Sequence, residues 1–224
     1  MAVERVTVIG ATGDEGFGLA LRWADAGIEV VIGSRDASRA SDAAERVRSR
    51  VTNARVEGLE NAHAAAASDV VVVTVPFAGQ AAIYRSIAEH VGENTVVVDA
   101  TAPVGAAVGD RATHVLGVWA GSAAQQAASL LPKGITVCSG FHTLAAKSVQ
   151  AIESPLEGDV LVCGPKSGKQ KVAELVEAIE NLRYVDAGPL EQARIIESLT
   201  ALMIGINRRY KIDGAGVRIT GLNG

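Results

Sequence analysis

The segment Val6-Thr7-Val8-Ile9-Gly10-Ala11-Thr12-Gly13-Asp14-Glu15-Gly16 constrains this chain more than any other. It reads as a buried strand, a glycine turn and the start of a helix. The pattern then repeats along the chain. Strands are expected at Val6–Ile9, Glu29–Ile32, Arg55–Glu57, Asp69–Val75 and Thr95–Asp99. Helices are expected between them at Asp14–Ala26, Ala37–Arg50, Glu60–Ala67 and Gln80–His90. The unbroken apolar run Asp69–Val75, closed by Pro76, is what a central parallel strand covered on both faces requires. This alternation predicts an α/β fold, a Rossmann-type doubly wound and mostly parallel sheet. Aromatic residues make up only 4% of the chain, so Ala, Val, Ile and Leu must fill its core.

After Asp99 the rhythm loosens. Residues Pro103–Ser122 read as a loop whose only large aromatic is Trp119. Helical turns at Ala123–Leu130 precede a strand at Ile135–Ser139, and Phe141-His142-Thr143 follows it directly. A strand at Asp159–Cys163, a helix at Ser167–Asn181 and a last strand at Tyr184–Asp186 make a small C-terminal α/β lobe. The expected division is therefore residues 1–140 and 141–224. The longest helical pattern, Pro189–Tyr210, gathers Ile195, Ile196, Leu199, Leu202, Met203 and Ile206 on one side, a surface for the sheet or for a second subunit.

Charge and sorting signals exclude several classes. A formal net charge of −4 gives no broad basic surface for nucleic acid. The chain opens almost at once on a strand, and no run approaches the ~20 apolar residues that cross a bilayer. A soluble cytoplasmic protein is expected. Cys138 and Cys163 lie in short apolar runs without CxxC spacing, and are read as buried free thiols with no metal site. The stretch Gly164-Pro165-Lys166-Ser167-Gly168-Lys169 mimics a phosphate loop. Gln170 stands where Ser or Thr must follow the lysine, so it is read as a turn into a helix.

The first turn carries the chemistry. Set against G-x-G-x-x-G, its first glycine has become Ala11, with Gly10 just before it; Gly13 faces the position of a pyrophosphate, and Gly16 lets the helix approach the sheet. Backbone N–H groups of Thr12, Gly13, Asp14 and Glu15 would meet the pyrophosphate at the helix N-terminus. About twenty residues on, Ser34-Arg35 replaces the acid that an NAD site sets against the ribose hydroxyls. Arg35, with Ser34, Thr12 and Arg39, suits the 2′-phosphate of NADP. Asp36 falls late in this loop and reads as the cap of the next helix.

At the carboxyl ends of later strands stand Val75-Pro76-Phe77, Ala102-Pro103 and Phe141-His142-Thr143, where an open α/β sheet places its ligand. His142 is the candidate for chemistry, as a general acid or base, a hydrogen-bonding partner of the nicotinamide carboxamide, or a structural residue. Lys147 and Asn207 are too loosely spaced to assign. His63, His90 and His114 are read as surface residues without companions.

These blocks together resemble the NADPH-dependent reductases of coenzyme F420, the 8-hydroxy-5-deazaflavin:NADPH oxidoreductases. The likeness runs through Gly10-Ala11-Thr12-Gly13, Val31-Ile32-Gly33-Ser34-Arg35, Thr74-Val75-Pro76-Phe77, Phe141-His142-Thr143 and Val162-Cys163-Gly164. It continues in Asp186-Ala187-Gly188-Pro189-Leu190 and Glu197-Ser198-Leu199-Thr200. The resemblance implies a homodimer that moves a hydride reversibly between nicotinamide C4 and deazaflavin C5. It places Thr12, Ser34, Arg35 and Arg39 at the phosphate corner and His142 beside the nicotinamide. Pro76-Phe77 and Ala102-Pro103 fall around the stacked rings, with Ala215-Gly216 closing over them. Phe77 stands where the family has tryptophan, and residues 220–224 read as an inert extension. The alternatives from the residues themselves are an NADP-dependent dehydrogenase or imine reductase of a small carbonyl compound, and a non-catalytic NADP-sensing module.

Overall fold

The structure, a computed structural model, describes residues 3–222. Six strands form one parallel sheet: β1 (Arg5–Ile9), β2 (Glu29–Ser34), β3 (Val56–Glu60), β4 (Val70–Val73), β5 (Val96–Asp99) and β6 (Thr136–Ser139). Their order, β3-β2-β1-β4-β5-β6, places a topological switch between β1 and β4. The crossovers are α1 (Asp14–Asp25), α2 (Ala37–Arg48), α3 (Asn61–Ala65), α4 (Phe77–Ile87) and α5 (Ala123–Leu130).

The valine-rich strands explain the two layers. In β4 and β5, Val70, Val72, Val96 and Val98 enter one apolar cluster with Leu19, Trp23 and Leu175. Their neighbours Val71, Val73 and Val97 enter the other, with Tyr84 and Ile87. Side chains alternate across a strand, so four consecutive apolar residues are the signature of a sheet buried on both sides.

Past β6 come α6 (Ala146–Gln150), β7 (Gly158–Val162), α7 (Lys166–Glu177), β8 (Leu182–Asp186) and α8 (Ala193–Tyr210). β7 and β8 pair only with each other, in parallel, as a second sheet. Val160 and Val162 of β7, together with Leu175 and Val176 of α7, continue the first cluster. Trp23 ties the two together: it is fully buried, its indole N–H donates to the Leu175 carbonyl at 2.8 Å, and its ring meets Phe141 edge-on at 5.6 Å. Arg22, one residue earlier, donates to the carbonyls of Ser148, Val149, Ala151 and Ser154.

Several boundaries differ from expectation. α7 stops at Glu177 and β8 starts at Leu182, because Asn181 takes a left-handed turn (φ 67°) between them. The long helix begins at Ala193, after a 3-10 turn at Leu190–Gln192. Its apolar stripe splits. Ile196 and Met203 are buried, whereas Ile195 and Leu202 are each 53% exposed. Within the extension Leu222 is tied in, its carbonyl accepting from Arg183; just before it, Ile219 accepts from Arg183 through its carbonyl and donates its N–H to Asp159. Asn223 and Gly224 lie outside the described residues. Both cysteines are free and buried.

Candidate functional site

A cleft of about 500 Å³ opens at the switch between β1 and β4. Thr12 and Gly13 line it from the first turn, Ser34, Arg35 and Arg39 from the end of β2 and the start of α2, and Val75 and Pro76 from the end of β4. The local backbone explains the turn. Gly10 has φ +95°, and a Cβ there would lie 3.0 Å from Thr74 and Val75. At Gly16 a Cβ would lie 2.3 Å from the Thr74 hydroxyl. Gly10 is thus the left-handed glycine of the turn, one residue before Ala11, which stands at the first glycine position of G-x-G-x-x-G.

Gly13 differs from its two companions, since its missing Cβ leaves open space with only the Gly10 carbonyl at 3.4 Å. It forms the N-cap of α1, and no side chain caps that end. Free N–H groups and the positive end of the helix dipole face the cleft. Across it, Arg35 and Arg39 are exposed, and neither has a carboxylate partner among the described residues. Asp36 caps α2, its Oδ1 accepting the Ser38 N–H at 2.9 Å, as the sequence predicts. The buried Asn61 side chain also lines the cleft, with an Oδ1 that has no partner.

The remaining candidates do not line this cleft. Asp14 caps nothing on its own helix, and its carbonyl accepts from the Gln150 side chain. Glu15 is half-buried, and burial and the nearby Asp99 push its carboxyl up to about 8. Phe77 opens α4 half-buried, Ala102 is half-buried and Pro103 buried. Ala215 lines a separate cavity of about 290 Å³ with Thr143, Leu144, Ser148 and Val217, held by its N–H to the Asn207 Oδ1 at 2.9 Å. Asn207 therefore places the C-terminal segment, and Lys147 pairs with Asp213 on the surface. His114 does have a companion, since Nδ1 lies 2.5 Å from Asp110.

His142 lies in the interior, only 6% exposed. Burial pushes its ring down to about 4, so it is neutral at physiological pH. Neither ring nitrogen completes a hydrogen bond. One of them lies with a carboxylate oxygen of Asp99 and one of Glu197, all within 4.8 Å of one another. Asp99 accepts from Gln80 at 2.9 Å, Tyr84 at 2.7 Å and the Thr101 N–H at 3.1 Å. Glu197 accepts the N–H groups of Ala123 at 2.8 Å and Ala124 at 3.0 Å, at the start of α5. Among the described residues this is the one trio of side chains placed to share a metal ion. Sequence reasoning missed both acids. The signal was present as an aspartate closing an all-valine strand and a glutamate inside an apolar helix stripe.

Parallel sheet, switch-point cleft, uncapped glycine turn and paired arginines define a dinucleotide-binding protein of the Rossmann class. Residues 5–103 match the family described as NADP oxidoreductase, coenzyme F420-dependent. The chain is 42% identical to the F420-dependent NADP reductase of Methanothermobacter thermautotrophicus over 98% of its own length and 96% of that protein. It is 36% identical to the enzyme of that name from Methanocaldococcus jannaschii, covering 97% and 99% of the two chains. A crystal structure from Arthrobacter sp. FB24, described as a candidate F420-dependent NADP reductase, shares the fold with a TM-score of 0.80 at 24% identity, over 96% of this chain and 98% of that one. The chain belongs to the F420-dependent NADP reductase family.

Proposed function

We propose that this protein transfers a hydride between NADP(H) and coenzyme F420, with Arg35 as the main grip on the 2′-phosphate of NADP. The observation that carries this is the pair of cations, Arg35 and Arg39, set beside Ser34 without acidic partners among the described residues. Asp36, the one acid in that loop, is committed to the helix cap. A dianionic phosphate can therefore take charge-assisted hydrogen bonds from both guanidiniums and from the Ser34 and Thr12 hydroxyls.

The rest of the cleft fits the same ligand. The open space at Gly13 and the uncapped start of α1 suit a pyrophosphate, with Asp14 and Glu15 contributing backbone N–H groups. The orphaned Asn61 Oδ1 can accept a hydrogen bond from a hydroxyl or amino group of the nucleotide. Val75 and Pro76 form an apolar wall of the cleft; in this reading Phe77, Ala102 and Pro103, which lie outside its lining, and Ala215, which lines a separate cavity, would close on the reacting rings. The nicotinamide, when bound, supplies or accepts the hydride. The chain's task is to hold two flat rings in register and keep water out, and orientation of this kind accounts for much of a hydride-transfer rate. A neutral His142 suits hydrogen bonding to a polar edge of either ring better than proton donation.

The decisive assay mixes the protein, NADPH and oxidised F420 and follows loss of the deazaflavin's visible absorbance. Turnover with F420 and none with a panel of ketones and imines is expected; the reverse pattern would assign a dehydrogenase or imine reductase. We further propose that the protein is a cytoplasmic homodimer paired through the outer face of α8, where Ile195 and Leu202 stand exposed. Among the described residues no helix is long and apolar enough to cross a membrane. Leu202→Glu should convert the dimer to monomer in sedimentation velocity; a wild-type monomer would refute the pairing.

A further inference from the structure

The chain holds two tryptophans, and they stand at opposite extremes. Trp23 is fully buried, while Trp119 is fully exposed. Tryptophan is on average a highly buried residue, so a whole indole in water calls for a partner. Of the other aromatic side chains, Trp23, Phe17, Tyr84 and Phe141 are taken up by the core. The exposed Tyr210 ends α8, about 20 Å along the helix from Glu197.

The backbone around Trp119 has a defined shape. Val104 and Val115 pair as an antiparallel bridge, and the Gly105 N–H donates to the His114 carbonyl at 2.7 Å, which closes residues 104–115 into a small lobe. Trp119 then takes the first corner of a tight turn, Val118–Gly121, closed by the Gly121 N–H on the Val118 carbonyl at 2.9 Å. Gly121 has φ +103°, and a Cβ there would lie 2.5 Å from the Gln125 side-chain oxygen, so the turn ends on glycine by necessity. The indole is carried on a fixed corner.

Both ends of this turn are moored at the reacting end of the ligand edge. Three residues before Trp119, the Leu116 N–H donates to the Pro103 carbonyl at 2.7 Å. Four residues after it, the Ala123 N–H donates to Glu197 at 2.8 Å, and the Ala123 carbonyl accepts from Gln80 at 2.9 Å. Glu197 in turn lies with Asp99 and a His142 ring nitrogen, all within 4.8 Å of one another. An extended chain covers at most ~3.6 Å per residue, so the Trp119 Cα is within about 11 Å of Leu116 and about 14 Å of Ala123. The indole is tethered on the rim between Pro103 and the His142 centre. Neither mooring involves Ile195 or Leu202, the apolar face proposed for dimer pairing.

An aromatic on that rim has a task. When two flat rings meet, the nicotinamide covers one face of the deazaflavin, and its other face stays in water unless the chain covers it. Flat rings prefer offset stacking, and an indole offers the widest aromatic face of any side chain. Resting on the reading of this protein as an F420 reductase, we propose that Trp119 is the outer platform of the deazaflavin: its indole stacks on the ring face turned away from the nicotinamide. It touches the acceptor and not NADP, and so sets affinity and selectivity for a flat aromatic acceptor. No bond is made or broken at the indole.

Because Trp23 is shielded, acrylamide quenching of tryptophan fluorescence in the full chain reads Trp119. The quenching slope should be steep for the protein alone and with NADP⁺. It should fall by about threefold when oxidised F420 joins NADP⁺, a pair that cannot react with each other. An unchanged slope at an F420 concentration that saturates turnover overturns the proposal. A slope that is shallow for the protein alone and steepens on dilution assigns Trp119 to a second copy of the chain, and overturns it as well. Neither measurement needs a variant. Trp119→Ala should raise the KM for F420 about tenfold, the size expected for one stacked ring, and leave the Kd of NADPH within about a factor of two. Trp119→Phe should recover most of the loss. A KM for F420 that is the same in Trp119→Ala and wild type removes the platform alone. Absence of F420 turnover in the wild type removes the F420 reading, and the platform with it.

Discussion

The two ends of the ligand-binding edge are built on opposite principles. At the phosphate end the working groups are exposed cations and bare backbone N–H groups, contributed by two consecutive turns. At the His142 end they are buried, electrically crowded and drawn from β5, the segment after β6, and α8. The first end stores affinity for an anion that arrives from solvent. The second stores orientation, since neutral or shared-proton groups in a dry interior keep their hydrogen bonds fixed. Substitutions should therefore change binding at one end and rate at the other.

The largest effect should come from closing the first turn. Gly16→Val places carbon atoms where a single Cβ already lies 2.3 Å from the Thr74 hydroxyl and 2.9 Å from the Ala11 backbone. Loss of NADP binding is expected, with destabilisation of about 3 kcal/mol or more; a variant that binds NADPH normally in calorimetry would disprove the close approach. Arg35→Ala comes next. It should weaken NADPH by roughly 30-fold, about 2 kcal/mol, and leave NADH within a factor of two. Equal losses for both cofactors would move the phosphate elsewhere.

Smaller effects belong to the buried end. His142→Ala should lower the hydride-transfer rate by about tenfold with both cofactors still bound; abolished turnover with intact binding would show that the ring is an obligatory acid. Last comes a pH effect on stability. Glu15, Asp99 and Glu197 are raised in the folded chain to about 8, 6 and 7. Between those values and the unfolded values the folded state binds the extra protons, so stability should rise as pH falls from 8 to 5. The melting temperature should increase by about 5 °C over that interval, and less in Glu15→Gln. His142, held at about 4 in the fold against 6.5 in the unfolded chain, offsets part of this gain below about pH 6.5, and Asp159 and Asp186 also work in the other direction. Their partners Arg183 and Lys169 hold them below the usual carboxylate range, and their stabilisation is lost only in stronger acid. A melting temperature that falls between pH 8 and 6.5, above the range where the unfolded histidine protonates, would mean the buried carboxyls are not raised.

The same contrast explains what the sequence could reveal. The sheet was legible because a strand buried on both faces must be continuously apolar, as Val70–Val73 is. The phosphate end was legible because Gly10 to Gly16 and Ser34 to Arg39 are local motifs whose geometry depends on few distant residues. The second sheet was only half legible: β7 and β8 were visible as strands, but their pairing apart from β6 depends on how α7 packs. Glu197 stood out in the sequence only as part of the block Glu197–Thr200 and without a role, because its placement beside Asp99 and His142, respectively 98 and 55 positions away in the chain, is not a local property. The α8 stripe left open what covers its exposed half, since periodicity reports an apolar face and not which body covers it.

Arg22 carries one more consequence. A single guanidinium spans four carbonyls of residues 148–154, and the Trp23 indole fastens the next turn to α7. The two sheets are therefore riveted along α1 and cannot swing apart like jaws. Any widening that admits a second flat coenzyme has to come from lighter parts, foremost the C-terminal ribbon, whose moorings are Asn207, Asp159 and Arg183.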